Sequence, residues 1–213
     1  MGKVEANKQA KRTSLLQTAY ELFVDKGFNS TTISDISKKS GLAKGTFYLY
    51  FRDKYDLRDQ LVARKSSQIL EEAMRVVSMR HPEYRTFDEK IIGITDYILN
   101  YLAGNKMLLK FITKNLSWGL FRHAIEHTEA EGEGRIGEFY QAYLKALEDD
   151  KLVCEQPELM IFTIIELIGS TGFSCILYES PVDLGTYMPY LHMSIRQIIA
   201  GFTKKAEESQ EGA

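Results

Sequence analysis

The sequence predicts an all-α protein, and three observations support this. Apolar residues recur three and four positions apart in successive segments, as they do within residues 15–23, which places them on one face of a helix. Glycine and proline punctuate these segments, for example at Gly27, Gly41 and Pro82. No stretch shows the strict alternation of a β-strand, and no internal repeat is present. We therefore expect a bundle of about nine helices.

The composition is that of a folded protein with unevenly distributed charge. Its 213 residues are 44% hydrophobic and 26% charged, which excludes a disordered chain. The net charge is −2, yet residues 1–65 hold 13 Lys and Arg against 7 Asp and Glu, a net of +6. The remainder holds 14 against 22, a net of −8. A basic amino-terminal part suits a polyanion such as nucleic acid.

The cysteines and the amino terminus suggest where the protein resides. Cys154 and Cys175 fit neither a disulfide framework nor a metal-ligand spacing, which is typical of a reducing cytoplasm. We expect both thiols to pack in the core rather than to sense redox state. The amino terminus is polar and lacks the apolar stretch of a signal peptide, so we expect a cytoplasmic protein.

The first helix is predicted from about Gln9 to Lys26, after a polar, flexible tail of residues 1–8. Its buried stripe comes from the apolar residues within 15–23. Gly27 ends it, because glycine enters the left-handed conformation that follows many helices.

Residues 32–51 are predicted to form two short helices joined by a tight turn. Thr31 and Thr32 are N-cap residue types, and Asp35 follows in the first turn, where the helix dipole favours a carboxylate. Gly41 ends the first of these helices, and the second begins at Ala43 or Lys44.

The second short helix has two distinct faces. Phe47 and Phe51 are four residues apart and face the core. The opposite side is left with Lys44, Thr46, Tyr48 and Tyr50. This is the layout of a helix-turn-helix, whose second helix enters the DNA major groove.

The segment from about residue 9 to residue 65 closely resembles the DNA-binding domain of the tetracycline-repressor (TetR) family. The matching residues are Ala19, Leu22, Phe23, Gly27, Thr31, Thr32, Ile36, Gly41, Lys44, Gly45, Tyr48, Tyr50, Phe51, Lys54 and Leu57. Ser37 stands where the family often has alanine. The resemblance implies an all-helical, dimeric repressor that a small ligand releases from DNA.

We expect the DNA contacts to come from the helix-turn-helix and the start of the next helix. Lys44 suits a phosphate or guanine, Thr46 a base edge or methyl group, and Tyr48 and Tyr50 phosphates. Gly45 lets backbone approach a phosphate closely. The full predicted set is Thr32, Ala43, Lys44, Gly45, Thr46, Tyr48, Tyr50 and Lys54.

Seven further helices are predicted, at residues 54–79, 86–102, 106–116, 117–127, 135–149, 157–178 and 183–207, with residues 128–134 as an acidic loop. We assign residues 9–56 to the DNA-binding domain and 57–207 to an effector-binding and dimerisation domain. Residues 208–213 are expected to be a second flexible tail.

The stretch 159–177 is apolar around most of its circumference, so it is buried on all sides or spans a membrane. Glu166 lies in the middle of the run and neither end carries Lys or Arg, which argues against a span. The final helix carries a seam of alternating three- and four-residue spacings. We therefore expect the last two helices to form a homodimer interface through Gly169, Phe173, Met188, Leu191, Ile195, Ile198 and Phe202.

An effector pocket is expected among the aromatic residues of the larger domain. Our candidates for binding a hydrophobic or cationic effector are Tyr97, Trp118, Phe121, Tyr143, Phe162 and Glu166. A carboxylate in an apolar helix needs a partner, and for Glu166 that partner is a cationic effector or a side chain of the protein itself. His123 and His127 share a helix face, but two histidines without a third ligand favour a solvated surface over a metal. No cofactor is expected.

Two other functions are compatible with parts of this pattern. An effector-independent architectural DNA-binding protein or activator would share the helix-turn-helix but have a filled core. A helical enzyme is the weaker alternative, because no GxSxG, P-loop, Rossmann or HExxH motif is present.

Overall fold

The computed structural model of the protein describes residues 2–113 and 136–206. In these two ranges the helices are α1 (Lys3–Lys26), α2 (Ile33–Ser40), α3 (Lys44–Tyr48), α4 (Lys54–Arg80), α5 (Phe87–Ala103), α6 (Lys106–Thr113), α7 (Ile136–Asp149), α8 (Pro157–Tyr178) and α9 (Leu184–Phe202). Two short strands, β1 (Leu152–Cys154) and β2 (Thr203–Lys205), accompany them. The all-α prediction is confirmed. The predicted helix 117–127, the acidic loop 128–134 and the tail 208–213 lie outside the described residues.

The ends of the helices follow the capping residues. The Thr32 hydroxyl accepts a hydrogen bond from the Asp35 N–H at 3.1 Å, and the Thr32 N–H donates to the Asp35 carboxylate at 2.8 Å. Gly41 ends α2 in the left-handed conformation, with φ of 71°. Asp53 caps α4 and Thr86 caps α5, and both are residue types that favour the N-cap position.

Helix α1 is longer than predicted, because it begins at Lys3 rather than near Gln9. The expectation of a flexible tail is therefore wrong for residues 3–8. Apolar periodicity located only the buried part of the helix, whereas residues 4–8 are exposed. They contain no Gly or Pro, so nothing interrupts the helix before it reaches Gly2.

The paired strands were missed. β1 runs antiparallel to β2, with Leu152 opposite Lys205 and Cys154 opposite Thr203. Each strand has only three residues, too few to show an alternating pattern, and the two are distant from each other in the chain. Helix α9 ends at Phe202, before the predicted residue 207.

The three-helix head, which we define as α1 to α3, and the larger bundle share one apolar core. The buried cluster extends without interruption from Leu15 in α1 to Ile199 in α9. Helix α4 packs against α5, α8 packs against α9, and α6 contacts α1, α4, α5 and α8. The predicted domain boundary after residue 56 falls in the first turn of α4, which continues from the head into the bundle.

Candidate nucleic-acid interface and effector cavity

Helix α3 is held against the head by its buried aromatic side. Phe47 has no exposed surface and Phe51 is almost fully buried, and their rings lie 5.5 Å apart. Ile36 of α2 is buried beside them in the same core. Because this side of α3 is fixed, the opposite side is presented to solvent in one orientation.

The exposed side of α3 carries most of the predicted DNA-contacting residues. Ala43, Lys44 and Gly45 are exposed, and 52% of the Tyr48 surface is accessible. Thr46 is half-buried. Among the described residues no ion pair is recorded for Lys44, so its ammonium group is available to an external anion.

Tyr50 and Leu49 differ from the simple two-face prediction. Tyr50 is half-buried and packs against the core of the head, with its ring 6.4 Å from that of Phe51. Leu49 is 77% exposed beside Tyr48 and was not among the predicted contacts. Leu49 is the C-cap residue of α3, and its apolar character alone does not indicate this exposure.

The conformation of Gly45 does not require glycine. Its φ lies outside the left-handed region, and a methyl group built there meets no atom within 4 Å. Glycine lowers the stability of a helix by about 1 kcal/mol relative to alanine. Within the described chain, neither backbone conformation nor packing requires glycine at this position.

Lys54 occupies a different environment from the one predicted. Its ammonium group donates to the carbonyl oxygens of Phe28 at 2.9 Å and Thr31 at 2.8 Å. It also lies 4.3 Å from the centre of the Phe28 ring. The structure thus gives this charge an internal role, joining the start of α4 to the end of the α1–α2 loop.

Part of the basic charge of the head is neutralised internally. Lys26 pairs with Asp35 at 2.9 Å and Lys39 pairs with Glu21 at 3.0 Å. The hydrogen bonds from Lys26 and Thr32 hold the pKa of the Asp35 carboxyl well below its ordinary value. These two pairs leave the net charge of +6 unchanged, but they occupy Lys26 and Lys39, whereas Lys44 stays exposed.

A cavity of about 470 Å³ lies in the larger bundle, between α4, α5, α6, α7 and α8. Its walls are predominantly branched aliphatic side chains. They include Ile69, Leu70, Ile91, Ile94, Ile98, Leu99, Leu102, Leu109, Ile112, Ile161, Ile164, Ile165 and Ile168. The polar side chains in the walls are Ser66, Thr95, Glu166, Ser170 and Ser174. A cavity of this size and lining suits an apolar small molecule.

The predicted aromatic pocket differs from this cavity. Tyr97 stacks on Tyr101 with ring centres 6.3 Å apart, and the buried Tyr143 donates its hydroxyl to the Pro157 carbonyl at 2.8 Å. Neither residue lines the cavity, and neither does Phe162. Burial raises the pKa of Tyr143, which keeps this hydroxyl a hydrogen-bond donor. Trp118 and Phe121 lie outside the described residues.

Glu166 does line the cavity, but it is exposed rather than buried. The same is true of Gly169 and Ser170. The cavity therefore reaches the outer face of α8. Because solvent reaches the Glu166 carboxylate, this group needs no buried partner, contrary to the expectation from its apolar neighbours.

The outer faces of α8 and α9 carry only some of the residues predicted for the dimer interface. Leu191 and Ile195 have no exposed surface, so the prediction that they contact a partner chain is wrong. Phe173, Met188, Ile198 and Phe202 are half-buried. The inner residues of the seam pack against the protein's own core because α8 and α5 lie beside α9.

A different stripe of α9 faces solvent. Tyr190 is 61% exposed and Met193 54% exposed, and both lie on the side away from Leu191. Methyl groups built at Gly169 of α8 and Gly201 of α9 meet no atom within 4 Å. These two glycines lie at exposed helix positions where the chain itself does not require them.

Helix α8 is long and apolar enough to cross a membrane by length and composition alone, and one third (33%) of its most apolar window is buried. A single helix of this kind is weak evidence for a span, because a core or interface helix has the same composition.

In the described residues no group of three or more His, Cys, Asp or Glu is placed to hold a metal ion. His123 and His127 lie outside these residues.

The structure thus combines a helix-turn-helix head, a motif that binds DNA, with a helical bundle that holds an apolar cavity. Residues 15–61 match the family described as bacterial regulatory proteins, tetR family. This match covers most of the head and the start of α4, and it agrees with the resemblance to the TetR family seen in the sequence.

Similar proteins of known sequence are also transcriptional regulators. The fatty acid metabolism regulator protein of Bacillus subtilis (strain 168) is 27% identical over 141 residues, which are 66% of each chain. An HTH-type transcriptional regulator of Staphylococcus aureus (strain bovine RF122 / ET3-1) is 27% identical over 186 residues, 84% of this chain and 89% of that protein.

Solved structures share the fold along nearly the whole chain. FadR of Thermus thermophilus, a TetR-family transcriptional repressor in complex with lauroyl-CoA, has a TM-score of 0.59 and 20% identity, covering 95% of this chain and all (100%) of that one. A TetR-family regulator from Shewanella sp. PV-4 has a TM-score of 0.57 and 17% identity, covering 92% and 99%. At these identities the similarity shows the common fold.

Replacing Lys54 by methionine should lower the free energy of unfolding by about 1–3 kcal/mol, because two carbonyl oxygens lose a charged donor. The measurement is urea denaturation at fixed protein concentration. Lys44→Met is the matched control and should change stability by less than about 0.5 kcal/mol, since Lys44 is exposed. Unchanged stability with lost DNA binding in Lys54→Met would instead support the DNA contact predicted from sequence.

Proposed function

We propose that the protein is a dimeric transcriptional repressor that binds a palindromic operator and is released by a small molecule with an aliphatic chain. The observation that carries this proposal is the packing of α6. Its Leu109 and Ile112 line the cavity, while Phe111 of the same helix packs against the head. The short helix α6 therefore contacts both the cavity and the DNA-binding head.

The DNA contacts in this proposal come from the exposed side of α3 and the cap of α2. Lys44 supplies charge, Gly45 lets the backbone approach a phosphate, and Thr46 and Tyr48 reach base edges and backbone. The backbone of Thr32 lies beside a phosphate in this proposal. Ala43 contacts the same region of the DNA from the start of α3. Leu49 joins the set as an apolar contact, whereas Tyr50 acts by supporting α3 and Lys54 by fixing the loop.

A dimer is needed because one five-residue recognition helix gives few base contacts. Two heads about 34–36 Å apart read successive major-groove faces of a palindrome. We place the interface on the outer faces of α8 and α9, with Tyr190, Met193, Gly169 and Gly201 as central contacts. These helices expose apolar surface and two glycines that permit close approach of a partner helix.

The cavity is linked to the head by aromatic packing. The Phe111 ring lies 5.8 Å from that of Tyr20 and 6.1 Å from that of Phe23, both on α1. A ligand that displaces Leu109 or Ile112 moves Phe111 with them, and α1 must follow because the core is close-packed. Tilting each head in this way changes the distance between the two recognition helices of a dimer.

The lining favours a hydrophobic effector over the cationic one, because the walls are predominantly aliphatic, with Phe139 and Phe173 beside them, and Glu166 is already solvated. The chain resembles a fatty acid metabolism regulator and shares its fold with a repressor that binds lauroyl-CoA. Both similarities support a ligand that carries an acyl or alkyl chain.

Two alternative functions, an effector-independent DNA-binding protein and an enzyme, fit these observations less well. An effector-independent DNA-binding protein would have a filled core, whereas this bundle holds a cavity of about 470 Å³. The relatives found by sequence are transcriptional regulators, which disfavours an enzyme.

Lys44→Ala should weaken binding to DNA from the region upstream of the protein's own gene. It should also reduce the slope of log K against log salt by about 0.9 per protomer, because one phosphate contact is lost. Fluorescence anisotropy from 50 to 200 mM salt measures both effects. Lys205→Ala, the same charge change on the exposed strand β2, is the control. An equal slope in all three proteins would contradict the contact.

Met193→Glu should weaken the dimer roughly tenfold or more, because association would bury a carboxylate without a partner. Sedimentation equilibrium measures the dissociation constant. Met79→Glu is the matched control, since Met79 is 69% exposed near the end of α4 and outside the proposed interface. If both variants dimerise as the wild type does, the interface lies elsewhere.

Decanoyl-CoA, decanoic acid and 1-decanol form a test panel for the effector. At least one should raise the melting temperature, since a ligand that binds only the folded state stabilises it, and should release the upstream DNA fragment. Ala63→Phe fills the cavity and should abolish this release while DNA binding persists. Release that survives Ala63→Phe, or no stabilisation by any member of the panel, would contradict the proposed effector site.

A further inference from the structure

Ser66 stands apart among the polar residues of the cavity. Its hydroxyl oxygen is buried and has no hydrogen-bond partner in the described part of the chain. Thr95, by comparison, donates its hydroxyl to the Ile91 carbonyl at 2.8 Å, and Ser170 is exposed to solvent. The cavity therefore has one hydroxyl whose hydrogen-bonding capacity is both buried and unused.

The usual way to satisfy such a hydroxyl is not used here. Ser and Thr inside helices commonly donate to the carbonyl four residues earlier. Thr163, Thr171 and Ser194 all do so, at 2.8, 2.6 and 2.9 Å. Ser66 makes no such bond, although its position within α4 offers the same geometry. A buried hydroxyl without a partner lowers stability, so its presence in an apolar wall requires an explanation.

The neighbouring residue provides an internal comparison. The Ser67 hydroxyl is also buried and without a partner, and Ser67 is only 3% exposed, but it does not line the cavity. Only Ser66 of this pair is placed beside the space that a ligand would fill. The side chain has three staggered positions about its Cα–Cβ bond, and binding through the hydroxyl requires the one that directs it into that space.

We propose that Ser66 is the polar recognition point of the cavity. The effector is then an aliphatic chain that bears a hydrogen-bonding oxygen, such as an alcohol or the carbonyl of an ester or thioester, seated against α4. This inference rests on the proposed function, because it specifies the ligand of the same cavity. The branched side chains bind the chain, and the Ser66 hydroxyl selects for the oxygen and fixes its position.

The location of Ser66 also places the recognised oxygen close to the head. The adjacent Lys65 lies with its ammonium nitrogen 4.6 Å from the centre of the Tyr20 ring in α1. Tyr20 is the residue whose ring also contacts Phe111. A polar group bound at Ser66 thus acts on the turn of α4 that touches the head, next to the α6 contact.

The test compares 1-decanol with 1-chlorodecane, which has a similar length but no hydroxyl group. Isothermal titration calorimetry gives both affinities for the wild type, Ser66→Ala and Ser67→Ala. Ser66→Ala should bind 1-decanol about fivefold more weakly, the loss of one neutral hydrogen bond, and 1-chlorodecane with unchanged affinity. Ser67→Ala should bind both ligands as the wild type does.

Thermal unfolding of the free proteins supplies a second readout. Both variants should melt at or above the wild-type temperature, because alanine removes an unpaired hydroxyl and favours the helix. Equal losses for the two ligands in Ser66→Ala, or no loss for 1-decanol, would overturn the role of the hydroxyl while leaving the cavity as the effector site. If neither compound binds the wild type, the aliphatic effector site itself is refuted, and this inference with it.

Discussion

The contact of Phe111 with Tyr20 and Phe23 is the interaction on which the rest of this structure depends. It joins the small head to the large bundle, so that the two share one apolar core. A head attached only by a loop would be free to reorient. Because these rings are close-packed, the head has a fixed direction relative to the bundle, and the proposed coupling between the cavity and the head rests on this contact.

The same packing principle explains the recognition surface. Phe47 and Phe51 are buried on the core side of α3 and hold the helix in place, so its exposed residues keep a constant orientation. Lys54 adds to this by tying the start of α4 to the carbonyl oxygens of Phe28 and Thr31. One basic residue is thus used to hold the head together, while Lys44 remains available for DNA.

In two places, apolar surface of the bundle is not covered by other side chains of the described chain. One is the internal cavity with its aliphatic walls, and the other is the outer side of α8 and α9. Gly169 and Ser170 belong to both, since they line the cavity and are also exposed. In the proposed dimer a partner chain would therefore cover the side of the cavity that reaches the surface, so that ligand binding and association would influence each other.

The sequence by itself determined the features that depend on neighbouring residues. The caps at Thr32, Asp53 and Thr86, the left-handed end at Gly41 and the burial of Phe47 and Phe51 follow from local hydrogen bonding and helical spacing. Thr32, Gly41 and Phe51 are also among the residues that carry the family resemblance. Only the tertiary structure decided which apolar faces meet. It buried Leu191 and Ile195 and exposed Tyr190 and Met193, surrounded the cavity with aliphatic side chains in place of Tyr97 and Tyr143, and paired β1 with β2. Helical periodicity identifies an apolar face but not its neighbour, because that neighbour comes from residues distant in the chain.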